Sequence, residues 1–359
     1  MTLKSSSRTR TNLSAKKGAF RASTIHDVAA LAGVSSMTAS RVVSGSVPVR
    51  EELREKVLEA VKTLNYRPNV AARAARSGSV RIGIVLTNPK SSILGDFLLG
   101  AYGESTRLGV HLLVEPAIEN AASLEALRRI VRTGVDGVIL PPPLGDSTAA
   151  LNFLRKENIS ALAFAISEAQ SAVPTVSIND FKGASTMTQY LIDLGHKRIG
   201  FVQGGALHSN AQQREAGYRA TMEKNGLAVR TGWVQPGDYT FKSGFEAAAK
   251  LVTLTPRPTA IFAANDDMAA GVIALAHGSN LKLPEQLSVA GFDDSPIAAT
   301  LWPALTTIHQ PIATMASTAV QTITDGIRKL RMGETPTIMH YRMDCSLVTR
   351  ASTAPPQEK

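Results

Sequence analysis

The sequence is nearly without cysteine: one thiol, Cys345, stands in 359 residues. It can close no internal disulfide, so the chain is expected to rest on packing alone and to work in a reducing compartment. No stretch of eighteen apolar residues occurs, which argues against a membrane-spanning helix. The first 22 residues hold six Lys and Arg, no acid, and no apolar run of the length a secretory signal needs, so the expected location is the cytoplasm. Catalytic signatures are missing too. There is no Gly-x-x-x-x-Gly-Lys-Ser/Thr loop, no Gly-x-Ser-x-Gly elbow, no His-Glu-x-x-His and no cysteine pair, the usual parts of phosphoryl transfer, serine hydrolysis and zinc chemistry. The expectation is a binder, not an enzyme, with no cofactor and no metal.

What is present is ordinary globular composition, 44% hydrophobic and 19% charged, in a chain long enough for two or three domains. The formal charge is +10, and all of it sits at one end. Residues 1–81 carry fifteen Lys and Arg against five Asp and Glu; the remainder carries twenty-four of each. A basic segment joined to a neutral body suits a module that meets a polyanion, because counterions released from phosphates drive such binding. A solvated basic tail is the alternative that charge alone leaves open. Residues 1–22 are read as a disordered basic leader.

Pattern separates the two. Ile25, Val28, Ala29 and Ala32 fall at i, i+3, i+4 and i+7, one face of a short helix, with Thr24 and Asp27 spaced as a capping box. Gly33-Val34 interrupts the period where a tight turn needs positive φ. Ser35 can cap a second helix whose Ala39, Val42 and Val43 face inward and whose Ser36, Met37, Ser40 and Arg41 face outward. A third helix, about Glu51 to Leu64, repeats Leu53, Val57, Val61 and Leu64. This is a helix-turn-helix headpiece over residues 23–67. Asn65-Tyr-Arg-Pro68 ends it, and a short alanine-rich hinge with linker follows over 68–79, too brief to be stable alone.

From Val80 apolar runs alternate with helical patterns. Candidate strands are Arg81 to Leu86, His111 to Val114, Gly137 to Leu140, Ala161 to Ile166, Arg198 to Val202, Ala260 to Ala264 and Ser288 to Phe292. Helices are expected over Asp96 to Leu108, Ser123 to Thr133, Asn210 to Asn225 and Asp266 to His277, among others. Such alternation predicts parallel sheets covered on both faces, and this length predicts two similar doubly wound lobes with ligand at the carboxyl ends of strands.

Ordered landmarks then carry a resemblance. Thr24-Ile-His-Asp-Val-Ala-Ala-Leu-Ala-Gly-Val-Ser35, Thr38, Ser40-Arg-Val-Val43, Arg54-Glu-Lys-Val57 and Leu64-Asn-Tyr-Arg-Pro-Asn69 resemble the headpiece of bacterial lactose-repressor (LacI/GalR) regulators. In the body Ile82-Gly83, Gly134-Val-Asp-Gly-Val-Ile139, Leu194-Gly-His-Lys-Arg-Ile-Gly200, Ala263-Ala-Asn-Asp-Asp267, Gly291-Phe-Asp-Asp294, Leu305-Thr-Thr-Ile308 and Gln310 are similar to that family's landmarks. The resemblance implies a helix-turn-helix headpiece on an α/β body of periplasmic-binding-protein type, with an N-lobe at about 80–179 and 310–341, a C-lobe at about 180–309 and 342–353, and a tail at 354–359. It implies a metabolite-controlled repressor acting as a homodimer on a near-palindromic DNA operator, with no membrane partner.

Carried over by position, Ser36, Met37 and Arg41 are base-reading candidates, and Thr24, His26 and Asn69 position the duplex; Ser35, Thr38 and Ser40 complete the recognition element. A phosphate contact for Arg41 and packing against the DNA backbone for Met37 stay open. In the hinge, the resemblance implies minor-groove contacts for Ala72, Arg73, Ala75 and Arg76. Two positions depart from the family: Ala75 replaces the usual wedging leucine, leaving Arg73 or Arg76 to supply minor-groove charge, and Arg50 replaces the Ser or Thr that caps the third helix.

For the effector, the resemblance places Arg214, Asn265 and Asp293 as polar ligands, Tyr239 and Phe97 as aromatic walls, and Asn210 and Gln310 at the cleft. Turn capping by Asn265 and Asp293, and core packing for Tyr239 and Phe97, are the alternatives. The effector is expected to be sugar-like, although Ala165 stands where polyol-binding relatives often carry Asp. The adjacent acids Asp266-Asp267 and Asp293-Asp294 are read as turn and ligand residues rather than a metal site. Rival functions are a two-lobed binding protein of periplasmic type, which would need export, and an enzyme on the same fold.

Overall fold

The structure, a computed structural model, describes residues 24–44, 49–64, 66, 79–117, 122–167 and 172–357. The hinge residues Asn69, Ala72, Arg73, Ala75 and Arg76 lie outside the described residues. The chain divides into two units, residues 1–76 and 77–359.

The first unit is a three-helix cluster of α1 (Ile25–Ala32), α2 (Ser36–Ser44) and α3 (Glu51–Thr63). Val28, Ala29, Ala32, Ala39, Val57 and Ala60 form its core, flanked by Ile25, Val34, Val42, Val43, Val61, Leu64 and Tyr66. Gly33 ends α1 at φ 65°, and the Val34 N–H reaches back to the Ala29 carbonyl at 3.0 Å, so the turn needs the left-handed conformation that glycine adopts at little cost. Arg50 gives α3 no side-chain cap, as its departure from the family pattern implied.

The second unit holds two sheets. The first lobe's six strands are β1 (Arg81–Leu86), β2 (His111–Pro116), β3 (Gly137–Leu140), β4 (Ser160–Phe164), β5 (Thr175–Ile178) and β11 (His340–Met343), ordered β11-β5-β4-β3-β1-β2 and parallel throughout. Both faces are covered. Ile82 and Ile84 join the core beneath α4 (Leu94–Leu108) and α12 (Ile312–Arg331), while Val85, Val138 and Leu140 pack with Leu127, Ile130 and Leu154 from α5 (Ala122–Arg132) and α6 (Thr148–Lys156). Burial on both faces is why these strands read as unbroken apolar runs.

The second lobe's parallel sheet runs β7-β6-β8-β9, from β6 (Ile199–Val202), β7 (Val234–Gln235), β8 (Ala260–Ala263) and β9 (Ser288–Ala290). It carries α7 (Asp180–Asp193), α8 (Ser209–Lys224), α9 (Phe241–Leu251), α10 (Asp266–Gly278) and the short α11 (Pro296–Thr300). Phe201 anchors its core, stacked on Tyr218 at 4.9 Å and edge-on to Phe262 at 5.2 Å. An antiparallel pair, β10 (Thr307–His309) with β12 (Ser346–Val348), completes the lobe. The chain therefore crosses between lobes three times, after β5, after β10 and after β11.

Several expectations are corrected. The strand expected to Ile166 stops at Phe164, because Ala165 turns to φ 53°. The strand expected to Phe292 stops at Ala290. Five short strands, β5, β7, β10, β11 and β12, were not among the candidates. The lobe boundary expected at 341 falls inside β11, which stays with the first sheet to Met343. The tail expected from 354 starts with a docked residue: the Ala354 N–H donates to Ser288 Oγ at 3.1 Å, and its carbonyl accepts from His196 Nε2 at 2.9 Å.

Candidate functional site

Two side-chain caps start the first two headpiece helices, one for α1 and one for α2. Thr24 Oγ1 accepts the Asp27 N–H at 3.3 Å, and Asp27 Oδ2 accepts both the N–H and the hydroxyl of Thr24 at 2.7 Å. Ser35 Oγ accepts the Thr38 N–H at 3.1 Å and lies 2.9 Å from Thr38 Oγ1. Thr24, Ser35 and Thr38 thus hold helix starts in place, which leaves the outward surface to Ser36, Met37, Ser40 and Arg41. Met37 is 64% exposed, and Arg41 is exposed in the last turn of α2. His26 approaches from α1, with Nδ1 2.9 Å from Ser36 Oγ.

The body holds a cleft of about 580 Å³ between its lobes. Strand ends and the loops after them supply its walls: Leu86 and Thr87 after β1, Pro141 to Pro143 after β3, Phe164 and Ala165 at β4, Asp238 and Tyr239 after β7, Asn265 after β8 and Asp293 after β9. This is where open α/β sheets place ligands. All seven residues singled out in the sequence, Phe97, Asn210, Arg214, Tyr239, Asn265, Asp293 and Gln310, line it.

At its floor Arg214 is only 4% exposed. Its Nε donates to Asp180 Oδ1 at 2.8 Å, its Nη1 to the Ala264 carbonyl at 2.6 Å and, longer, to Asp293 Oδ1 at 3.4 Å, and the guanidinium lies 3.7 Å over the Phe292 ring. Gln310 Nε2 donates to the same Asp293 oxygen at 2.6 Å, and the Ser167 hydroxyl donates to Asp180 Oδ2 at 2.8 Å. Burial pushes both carboxyls upward, and Arg214 opposes that in each. Burial would lower the Arg214 pKa, but Asp180 and, less strongly, Asp293 outweigh it, so the guanidinium stays charged. His208 is held down to about 4, by burial first and by Arg214 second, so its imidazole is neutral at neutral pH.

The rim is strained. Ala165 (φ 53°), Tyr239 (φ 68°) and Asp293 (φ 119°) all take positive φ without being glycine, at a cost of about 1–3 kcal/mol each. Gly204 lets the Tyr239 ring in, since a Cβ there would sit 2.2 Å from it. The Tyr239 hydroxyl donates to Asn210 Oδ1 at 3.1 Å.

Asn265 lines the cleft and also caps the next helix, as the alternative reading had it, its Oδ1 accepting the Met268 N–H at 3.0 Å and its Nδ2 donating to the Tyr239 carbonyl at 3.3 Å. The acid pairs part company. Asp266 is fully buried and accepts from Ser295 and Thr307, and burial raises it to about 7; Asp294 pairs with Arg350 at 2.6 Å and lies 3.1 Å from His309. Asp180, His208, Asn88 and Ser91 were missed. Asp180 follows β5, whose Thr-Val-Ser-Ile carries no unbroken apolar run, so nothing in the sequence marks it as a strand-end residue.

The comparisons agree with this arrangement. Residues 24–69 match the model of bacterial regulatory proteins of the lacI family, and residues 188–353 match that of a periplasmic binding protein-like domain. Catabolite control protein A of Priestia megaterium is 33% identical over 85% of this chain and 93% of its own. The chain belongs to the LacI family. The ribose operon repressor of Escherichia coli (strain K12) is 30% identical, covering 89% of this chain and 96% of its own. Among solved structures, a lac repressor dimer bound to operator and the anti-inducer ONPF superposes with a TM-score of 0.70 at 27% identity, covering 93% of this chain and 100% of that one.

As a LacI-family member the protein is a DNA-binding transcriptional regulator of repressor type, with a metabolite-binding body. Its relatives are repressors and control proteins rather than enzymes. Among the described residues no helix is long and apolar enough to cross a membrane.

Proposed function

We propose that this LacI-family repressor reads a near-palindromic operator through Ser36, Met37, Ser40 and Arg41, and that a carbohydrate-like effector in the cleft at Arg214 sets its operator affinity. The supporting observation is the cleft floor: a buried, charged guanidinium held between Asp180 and Asp293 with Asn210, Tyr239 and Gln310 beside it. A fork of fixed donors next to a carboxylate is suited to hydroxyl groups. No cofactor or metal takes part, and no substrate is turned over.

The functional unit in this proposal is a homodimer. Leu99 and Tyr102 on α4 are 72% and 68% exposed, Val114 is exposed on the edge strand β2, and Phe241 and Phe245 are exposed on α9. A second copy covering these side chains removes apolar surface that a monomer leaves in water.

The test is a fluorescence-anisotropy titration of the full chain on an operator obtained by selection from random duplexes, repeated with a sugar panel. The expected result is a symmetric selected site and a change in its affinity with at least one sugar. An asymmetric site, or affinity unmoved by a sugar that calorimetry shows to bind, refutes the respective half of the proposal.

A further inference from the structure

The cleft's charge and its unused polar atoms narrow the effector's chemistry. Arg214 is the one Lys or Arg among the described residues that line it. Its charge is already answered by Asp180 at 2.8 Å and Asp293 at 3.4 Å, both buried with it. Asp238, whose carboxylate takes the Thr240 N–H and hydroxyl, adds a second lining acid. The lining thus offers no unanswered positive charge. His208, also on the wall, supplies none at neutral pH, because its pKa is held down to about 4.

The atoms left over are balanced. Among the described residues, Arg214 Nη2 and Asn210 Nδ2 are donors without a protein acceptor, since Asn210 Oδ1 is taken by Tyr239. Asp293 Oδ2 and Gln310 Oε1 are acceptors without a protein donor, since Gln310 Nε2 is turned to Asp293 Oδ1. All four residues are at least nine-tenths buried. Two donors and two acceptors match hydroxyl groups, each of which both gives and takes a hydrogen bond. A phosphate or carboxylate only accepts; it would leave Asp293 Oδ2 and Gln310 Oε1 facing lone pairs in a site of low dielectric. Opposite these atoms the first lobe presents Phe97, Phe164, Ile93, Leu94 and Ala165, a wall suited to the C–H face of a ring.

We infer that the cleft takes an uncharged, polyhydroxylated ring with one apolar face, and that it rejects phosphorylated and acidic forms of the same sugar. This rests on the effector-cleft reading above. The argument is electrostatic: an anion here meets two lining carboxylates, and the one cation near it is already paired.

Matched sets test it by calorimetry on the full chain at pH 7.5: glucose, glucose 6-phosphate and glucuronate; galactose, galactose 6-phosphate and galacturonate; ribose and ribose 5-phosphate; cellobiose and cellobiose 6-phosphate. The expected result is that at least one neutral member binds, at least tenfold more tightly than its charged partners, and that Asn210→Ala weakens it. A charged member binding as tightly as its neutral partner, with the same loss in Asn210→Ala, overturns this inference and leaves the cleft reading intact. A neutral sugar whose binding ignores Asn210→Ala places the site elsewhere and overturns both. Silence from every compound overturns the carbohydrate reading and this inference with it.

Discussion

Ser92 and Asp267 join the two lobes across the mouth of the cleft: the Ser92 N–H donates to Asp267 Oδ2 at 3.1 Å, and the Ser92 hydroxyl donates to Oδ1. Ser92 precedes α4 of the first lobe and Asp267 opens α10 of the second. A second tie lies at Ser209, whose N–H donates to Asp146 Oδ2 at 3.2 Å and whose hydroxyl accepts the Ser167 N–H at 3.0 Å. The lobe angle is thus held in part by a few polar contacts, those to the Asp267 and Asp146 carboxylates worth roughly 1.5–3 kcal/mol each and the neutral Ser167–Ser209 bond about 1 kcal/mol. Asp267→Ala is expected to speed amide hydrogen exchange at Ser92 by at least tenfold and to move operator affinity by threefold or more. Unchanged exchange at Ser92 would show that the tie does not hold the lobes.

The Arg214 cluster sets up a second expectation. Arg214→Met leaves Asp180 and Asp293 buried without their cation, which costs roughly 3–5 kcal/mol. Thermal denaturation should show a clear fall in Tm. Adding Asp180→Asn should recover part of it, because the unpaired charge goes. A double variant no more stable than the single one would mean that the lost packing over Phe292 dominates.

His196 makes the protein acid-sensitive in a defined window. Burial lowers its pKa to about 4, against the Ala354 carbonyl bond that raises it, while an unfolded histidine titrates near 6.5. The folded value is depressed, so its contribution is complete above about pH 6.5 and is lost as pH falls toward 4; the full amount is roughly 3 kcal/mol. Asp266 works in the opposite sense. Burial raises it to about 7, so acidification through that value favours the fold. The two are separated by difference: stability of the wild type minus that of His196→Gln, measured by urea unfolding from pH 7 to 4, should fall with falling pH. A flat difference would mean that His196 titrates normally.

In the headpiece, the 2.9 Å contact between His26 and Ser36 ties a residue of α1 to the first residue of α2. His26→Ala should change base preference at the position nearest Ser36 by a few-fold, read by selection from random duplexes. A uniform loss of affinity with the preference intact would assign His26 to a phosphate contact alone. The headpiece turn offers a control. Gly33→Ala forces a side chain into positive φ and should cost about 1 kcal/mol or more of headpiece stability by circular dichroism, without altering preference.

What could be read from sequence was local. The Thr24 and Asp27 capping box, the Gly33 turn and the Ser35 cap each depend on residues within a few positions, and their chemistry is the same in any chain. The strands β1, β3, β6 and β8 were legible because burial on two faces leaves an unbroken apolar run. β5 (Thr-Val-Ser-Ile) and β11 (His-Tyr-Arg-Met) were not. Each is four residues long and mixes polar with apolar residues, and β11 owes its strand state to β5, some 165 positions away in sequence. Asp180 was hidden for the same reason, its role existing only once Arg214 arrives from α8. Asn265 was legible both as a cleft residue and as a cap, because an Asn just before a helix start has both options, and the structure shows it doing both.

The positive φ of Ala165, Tyr239 and Asp293 has a consequence for how this cleft can acquire a new specificity. Backbone in that region disfavours β-branched replacements above all, so substitutions at these three rim positions are biased toward residues such as Gly, Asn and Asp. Phe97 and Asn210 stand on regular helices, where any side chain of suitable size is sterically tolerated. Diversification toward a different small molecule therefore meets less backbone resistance through α4 and the first turn of α8 than through these three loop positions.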